Sequence, residues 1–279
     1  MSRPIAFITD LGYVDDAVGM CKGMMLRRSP RSQIIDITHA VSPFDVVEAA
    51  HYLADLPDYF PDDTVFSCIV YPETGVVPCL AARNDRGQVF VAADNGVLTL
   101  VERTCAFGAV HQIDNPDVMV VPPSPSFYGR DVIVACTGRL AAGVPLEHVG
   151  AARTDIVRLQ IDAAHHAGDG MVVGSVSVID RNFGNVWTDI PESLCREAGL
   201  TPGDDIVVSF EQRGEHRFPF VRTFGDVHPG QPLAYLNSRG RLAFALNQGN
   251  LRERLAIERS ARIDVWTAGV AVAAHPNGS

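Results

Sequence analysis

Pro4-Ile5-Ala6-Phe7-Ile8-Thr9-Asp10-Leu11-Gly12 is an apolar run stopped by an acid and a glycine, and Asp15 to Arg28 follows it with apolar residues at helical spacing. Basic residues close that helix before Ser29-Pro30, so the opening reads strand, loop, helix. Gln33 to Thr38 is a β-branched strand, and Asp45 to Leu56 is a helix opened by Asp45, with Glu48 three residues on in the spacing that satisfies exposed amides. Working outward, Thr64 to Tyr71 is a continuous apolar strand and Gln88 to Ala93 another, with Asp94-Asn95-Gly96 as a turn before Val97 to Val101. Alternation of helices with uniformly apolar strands predicts an α/β fold with a central, largely parallel sheet.

Further along, Pro122-Pro123-Ser124-Pro125 is a rigid connector, and Arg130 to Ala142 a helix with Gly143 as its cap. The polar stretch Asp162 to Asp169 reads as an interdomain linker, and past it the texture changes. Met171 to Ile179, Asp205 to Phe210, Arg217 to Phe224, Pro232 to Leu236, Arg241 to Leu246 and Arg262 to Thr267 are short strand-like runs separated by turns, as in a small barrel or sandwich. The expected organisation is an N-terminal α/β domain over 1–154, a linker over 155–169 and a β-rich domain over 170–279, whose polar end, Ala273 to Ser279, is expected to fray.

Composition narrows the function. At 279 residues, 47% hydrophobic and 20% charged, the chain has ordinary globular balance. Its net charge of −10 repels a nucleic-acid backbone or an anionic membrane. No apolar run reaches the roughly 18 residues of a membrane span, and Ile5 to Ile8 is too short for a signal-peptide core, so a cytoplasmic protein is expected. The six cysteines are scattered, without metal-ligand spacing, and are expected as buried thiols. Phosphate-loop, nucleophile-elbow and dinucleotide fingerprints are all missing.

In an open α/β sheet, ligands gather beyond the carboxyl ends of the strands. Asp10 stands at such an end and is either a loop cap or a bidentate acceptor for a ribose diol. Tyr71-Pro72-Glu73-Thr74-Gly75 ends the third strand with a ring and a hydroxyl, and Phe127-Tyr128-Gly129-Arg130 begins a helix, where free amides favour an anion. Asp180 through Thr188 combines an acid, an amide and the indole of Trp187, and Leu236-Asn237-Ser238-Arg239-Gly240 sets a hydroxyl beside a guanidinium.

Together with Thr9-Asp10-Leu11-Gly12, Asp15-Asp16 and Cys21-Lys22-Gly23, these blocks resemble the S-adenosylmethionine (SAM)-dependent halogenases, the chlorinase and fluorinase family, from residue 4 to about 268. The resemblance implies a C-terminal β-barrel and a homotrimer whose active sites lie where one subunit's first domain meets a neighbour's second. It implies that SAM is a substrate, that no metal or other cofactor is needed, and that L-methionine is a product. Residue by residue, Asp10 would hold the ribose with Phe44 as an aromatic wall beside the sugar, and Trp187 and Phe224 would sandwich adenine with Asn185 at its edge. Asp15 and Asp180 would take the methionine ammonium and Ser238 and Arg239 its carboxylate, while Ala17 replaces a serine of the fluorinase pattern. Tyr71, Thr74, Phe127, Tyr128 and the Gly129 amide would shape the halide pocket, with Tyr71, Thr74 and Gly129 at the reacting centre.

Displacement at C5′ needs no general acid, because a sulfonium already leaves readily; the difficulty is stripping water from the halide, which a dry pocket of fixed donors accomplishes. The fluorinase pattern has a serine where this chain has Gly129 and a long loop between Thr74 and Asp94 that is missing here. Glycine removes a donor and adds room, which favours chloride, with bromide and iodide as further nucleophiles. The sister group that hydrolyses SAM activates water with an Asp, an Arg and a His, whereas this chain has Tyr71, Pro78 and Tyr128 at the matching positions. A SAM-binding module without turnover would keep Asp10, Trp187 and Arg239 but have no use for an anion pocket.

Overall fold

The computed structural model describes residues 2–71, 73–211 and 213–269, so the expected polar end, Ala273 to Ser279, lies outside the described residues. The chain divides into two compact units, residues 1–160 and 161–279.

In the first unit, β1 (Ile5–Thr9), β2 (Ile34–Thr38), β3 (Val65–Ile69), β4 (Cys79–Asn84), β5 (Val89–Ala93) and β6 (Phe107–Gln112) form one sheet in the order β2-β1-β3-β5-β4-β6. The first four strands in that order are parallel, β4 is antiparallel to β5, and β6 is antiparallel to β4. Every residue of β1 is buried because both faces are covered. Ile5 and Phe7 face a core shared with α1 (Ala17–Arg28), and Ala6 and Ile8 face one shared with α2 (Val46–Asp55) and α3 (Thr99–Thr104). The α2 start follows the expected capping: Asp45 accepts the Glu48 amide at 2.7 Å, while Glu48 reaches back to the Ser42 amide at 2.6 Å.

Three local expectations change. Strands β4 and β6 form where composition gives no strand signal, and the apolar residues after Asp94-Asn95-Gly96 turn into α3, where the Thr99 hydroxyl donates to the Gly96 carbonyl at 2.6 Å. The expected helix over 130–142 opens with a π-helical stretch, Gly129–Val134, before continuing as α4 (Ala135–Ala141). Gly143 ends it with φ of +101°, as its reading as a cap requires.

The second unit is an antiparallel sheet of β7 (His165–Gly168), β8 (Met171–Ile179), β9 (Val186–Pro191), β10 (Asp205–Phe210), β11 (Gly214–Pro219), β12 (Pro232–Leu236), β13 (Arg241–Leu246) and β14 (Arg262–Thr267). Its order is β11-β10-β14-β8-β9-β13-β12, and a bridge from Phe220 to Ala234 brings the two ends together, so the sheet is a nearly closed barrel. Phe210, Phe218 and Phe244 pack inside it with ring centroids 5.0 to 6.4 Å apart. The stretch expected as a linker contains β7, which pairs with β8. Strand β11 ends at Pro219, so Phe224 belongs instead to a short 3-10 turn, Phe224–Asp226, fixed by a capping box between Thr223 and Asp226.

Candidate functional site

In the first unit the site begins where β1 and β3 end side by side. The Asp10 amide donates to the Ile69 carbonyl at 3.2 Å, and its carboxylate Oδ2 accepts the amides of Phe44 at 3.0 Å and Tyr71 at 3.3 Å. Asp10 Oδ1 accepts from no described residue. Phe44 and Tyr71 both have left-handed backbones, φ +67° and +40°, a conformation that costs a non-glycine residue energy and persists only where the surroundings hold it. Their rings meet edge to face at 5.5 Å and are 70% and 40% exposed, so two aromatic surfaces face solvent beside one unsatisfied carboxylate oxygen.

A second network supports this loop from beneath. Thr9 Oγ1 pairs with His39 Nδ1 at 2.9 Å and accepts the Leu11 amide at 3.1 Å, so the buried imidazole braces the turn that carries Asp10. His39 Nε2 lies 3.2 Å from Asp36, which also takes Lys22 at 2.6 Å and the Tyr13 hydroxyl at 2.8 Å. Burial pushes the His39 imidazole below its ordinary value, with Asp36 opposing. Burial raises the Asp36 carboxyl, but the hydrogen bonds from Lys22, Tyr13 and His39 outweigh it and hold the group below its usual range.

The turn after Tyr71 brings up the next residues. Thr74 is half-buried between Glu73, φ +41°, and Gly75, φ +76°, and a methyl placed on Gly75 would lie 3.9 Å from the Tyr128 hydroxyl. Phe127 and Tyr128 pack on the core that contains Ile69, and Gly129 is buried at the helix start, where the first amides have no intrahelical partner. Asp131, 2% exposed, fixes this segment by accepting the Ser124 amide at 2.8 Å and the Nε and Nη2 of Arg130 at 2.7 and 2.9 Å. Arg130 beside it holds the Asp131 carboxyl below its ordinary range. The room expected at Gly129 is already filled: a methyl there would sit 2.8 Å from Ile69 Cγ2.

The second unit gathers the other set. Trp187 lies on β9 with the Arg239 guanidinium 4.8 Å from its ring centre, and Phe224 meets Tyr235 edge to face at 4.9 Å. Asp180 turns Oδ1 toward the amides of Asn182 at 2.9 Å and Phe183 at 3.2 Å, and its own amide donates to the Asn185 carbonyl at 2.9 Å, so one loop presents both Asp180 and Asn185. Asn237 Oδ1 accepts the Arg239 amide at 2.9 Å and shapes the turn that exposes Ser238. In the first unit, Asp15 stands just before the α1 N-cap residue Asp16 and accepts the Ala17 amide at 3.0 Å.

Several contributors were invisible to sequence reasoning. From sequence Asn95 is only a turn residue, yet its Nδ2 donates to the carbonyls of Val70 at 3.0 Å and Tyr71 at 2.8 Å and so clamps the chain just beyond β3. Asp131 and Ile69 belong to no motif, and Phe183, 65% exposed, has no role that its sequence neighbours suggest. Among the described residues, no group of three His, Cys, Asp or Glu side chains could hold a metal ion. Five of the six cysteines are buried, and burial raises the thiols of Cys21, Cys79 and Cys195 to about 12. No helix of the described residues is long and apolar enough to cross a membrane.

Comparison with known proteins places the chain in a family. Residues 5–150 match the SAM hydroxide adenosyltransferase N-terminal domain and residues 174–264 the corresponding C-terminal domain. The chain is 36% identical over 276 residues to a fluorinase of Nocardia brasiliensis, covering 89% of this chain and 92% of that one. It is 33% identical over 270 residues to an (R)-S-adenosyl-L-methionine hydrolase of Salinispora tropica, covering 95% and 98%. An uncharacterized conserved protein of Thermotoga maritima has a crystal structure that superposes with a TM-score of 0.90 at 33% identity, covering 94% of this chain and 99% of that one.

Proposed function

The chain belongs to the SAM hydroxide adenosyltransferase family, and from that membership we propose that it is a SAM-dependent chlorinase. Chloride attacks C5′ of SAM from the side opposite sulfur. The carbon–chlorine bond forms as the carbon–sulfur bond breaks, and the bonding pair leaves with sulfur as L-methionine. The other product is 5′-chloro-5′-deoxyadenosine; no proton moves, and the step is reversible.

The free Oδ1 of Asp10 takes a ribose hydroxyl, and Oδ2, while holding two loop amides, keeps lone-pair capacity for the other. Phe44 and Tyr71 wall the sugar. Trp187 and Phe224 take the adenine, Asn185 its edge, Asp15 and Asp180 the ammonium, and Ser238 and Arg239 the carboxylate of the methionine part. Tyr71, Thr74, Phe127 and Tyr128 exclude water from the halide, and the Gly129 amide supplies a fixed donor. The protein acts as a homotrimer, as its resemblance implies.

What supports this reading is the helix-start amide of buried Gly129, set among Ile69, Phe127 and Tyr128, together with the resemblance, by which Tyr71, Pro78 and Tyr128 stand where the hydrolysing sister group has its Asp, Arg and His. Neither a phenol nor a proline ring takes a proton from water near neutral pH. The second reading is SAM hydrolysis to adenosine and methionine, favoured by the hydrolases among the relatives. Incubation with SAM in each halide and in halide-free buffer, with mass spectrometry of the nucleosides, separates the two. Chlorinated nucleoside supports the proposal, and adenosine alone in every buffer overturns it.

A further inference from the structure

We infer that Ile69, a residue with no polar side-chain atom, determines which halide the site accepts by dictating what can stand at position 129. This rests on the halogenase reading above. Gly129 is not a glycine of necessity in its backbone, because its φ lies outside the left-handed region where Gly75 and Gly143 sit. Its missing side chain is a steric matter. A Cβ there would lie 2.8 Å from Ile69 Cγ2, 3.1 Å from Cδ1 and 3.4 Å from Cγ1.

Ile69 cannot step aside. Its side chain is 1% exposed in the close-packed core, and its branched Cβ stiffens χ1. Its backbone is fixed by the β3 ladder and by the amide of Asp10. Positions 69 and 129 are therefore coupled: isoleucine at one enforces glycine at the other. With that pair the wall beside Tyr128 carries a backbone amide and methyl groups, and no hydroxyl donor fits at 129. A small, strongly hydrated anion such as fluoride needs more donors to replace its shell than chloride does, so the pair selects the larger halide.

Four proteins test this: wild type, Gly129→Ser, Ile69→Ala, and the double variant Ile69→Ala/Gly129→Ser, each assayed for Tm and for nucleoside products from SAM in fluoride and in chloride. Ile69→Ala removes all three crowding atoms. Gly129→Ser alone is expected to lose Tm and turnover, and the double variant to recover Tm relative to the sum of the single changes. The double variant should also raise the fluoride-to-chloride product ratio about tenfold, the effect of one hydrogen-bond donor. A Gly129→Ser protein with unchanged Tm and halide ratio, or a double variant with the wild-type ratio, overturns the inference while leaving the halogenase reading standing. Adenosine as the sole wild-type product overturns that reading and this inference with it. Should a serine variant fail to fold, Gly129→Ala with and without Ile69→Ala reads the same coupling in Tm, and additive effects there contradict it.

Discussion

Asp10 has two tasks that a single substitution would confound. Its Oδ2 holds the left-handed backbones of Phe44 and Tyr71, and its Oδ1, which accepts from no described residue, is the atom we propose for the ribose. Asp10→Asn keeps one carbonyl oxygen for the two amides and loses the charge, so calorimetry should show SAM affinity reduced about tenfold to a hundredfold, the worth of about 1.5–3 kcal/mol for a hydrogen bond to a charged group. Asp10→Ala releases both loops as well and should bind more weakly still; equal affinity in Asp10→Asn and wild type would reject the ribose role. Asn95 tests the same strain from the other side. Asn95→Ala frees the carbonyls of Val70 and Tyr71, and turnover should fall about tenfold while KM changes less, because the loss of about 1–2 kcal/mol is felt where Tyr71 must stay in place. An unchanged kcat would show that Tyr71 needs no clamp. Asp10 was legible as a candidate from its place after an apolar strand. Asn95 was not, because an Asp-Asn-Gly turn accounts for itself locally and its long-range partners are carbonyls that leave no trace in composition.

At the scale of elements, α1 and α4 come close together at Gly138. A methyl there would meet Arg28 Cβ at 2.9 Å and the Met25 carbonyl at 3.0 Å, atoms too near the backbone to swing away. Gly138→Ala should therefore cost about 1–3 kcal/mol of stability in denaturant unfolding, and an unchanged midpoint would contradict the packing described. The turn after β1 supplies a pH test. The His39 pKa is depressed in the fold, so the unfolded chain takes up a proton first as pH falls through the ordinary value of about 6.5. The stability owed to the neutral imidazole is present above that pH and declines below it; the Asp36 contribution, from a depressed carboxyl, is lost only in the lower acid range. His39→Gln should flatten the decline of unfolding free energy between pH 7.5 and 5.5, and a wild-type slope in that variant would exonerate His39. Elements were legible where periodicity and composition agreed, as in β8, β10, β12, β13 and β14. Strand β4, Cys79-Leu80-Ala81-Ala82-Arg83-Asn84, is poor in β-branched residues and has its place only by pairing between β5 and β6. Strand β11 ends at Pro219, short of the aromatic run to Phe224 that composition suggests, although the Phe220 amide still donates to the Asp204 carbonyl at 2.8 Å.

Across the whole molecule, an acidic chain with an α/β unit and a nearly closed barrel carries two sets of polar and aromatic groups, one in each unit. The change from helical to strand texture near residue 162 made the two-part architecture readable, but the near closure of the barrel was not, since it depends on the Phe220 to Ala234 bridge between strands distant in the sheet order. The candidate blocks support a functional reading only in combination: a lone helix-start glycine or a lone loop aspartate has many explanations, and six blocks in one order have few. What the blocks left out was Ile69, because a core isoleucine is unremarkable until its methyl groups are found where a neighbour's side chain would be. The central claim is that this chain delivers chloride to C5′ of SAM, and it is tested most directly by mass spectrometry of the nucleosides formed from SAM in sodium chloride. 5′-Chloro-5′-deoxyadenosine that rises with chloride concentration is the predicted result, and adenosine alone at every chloride concentration would contradict it.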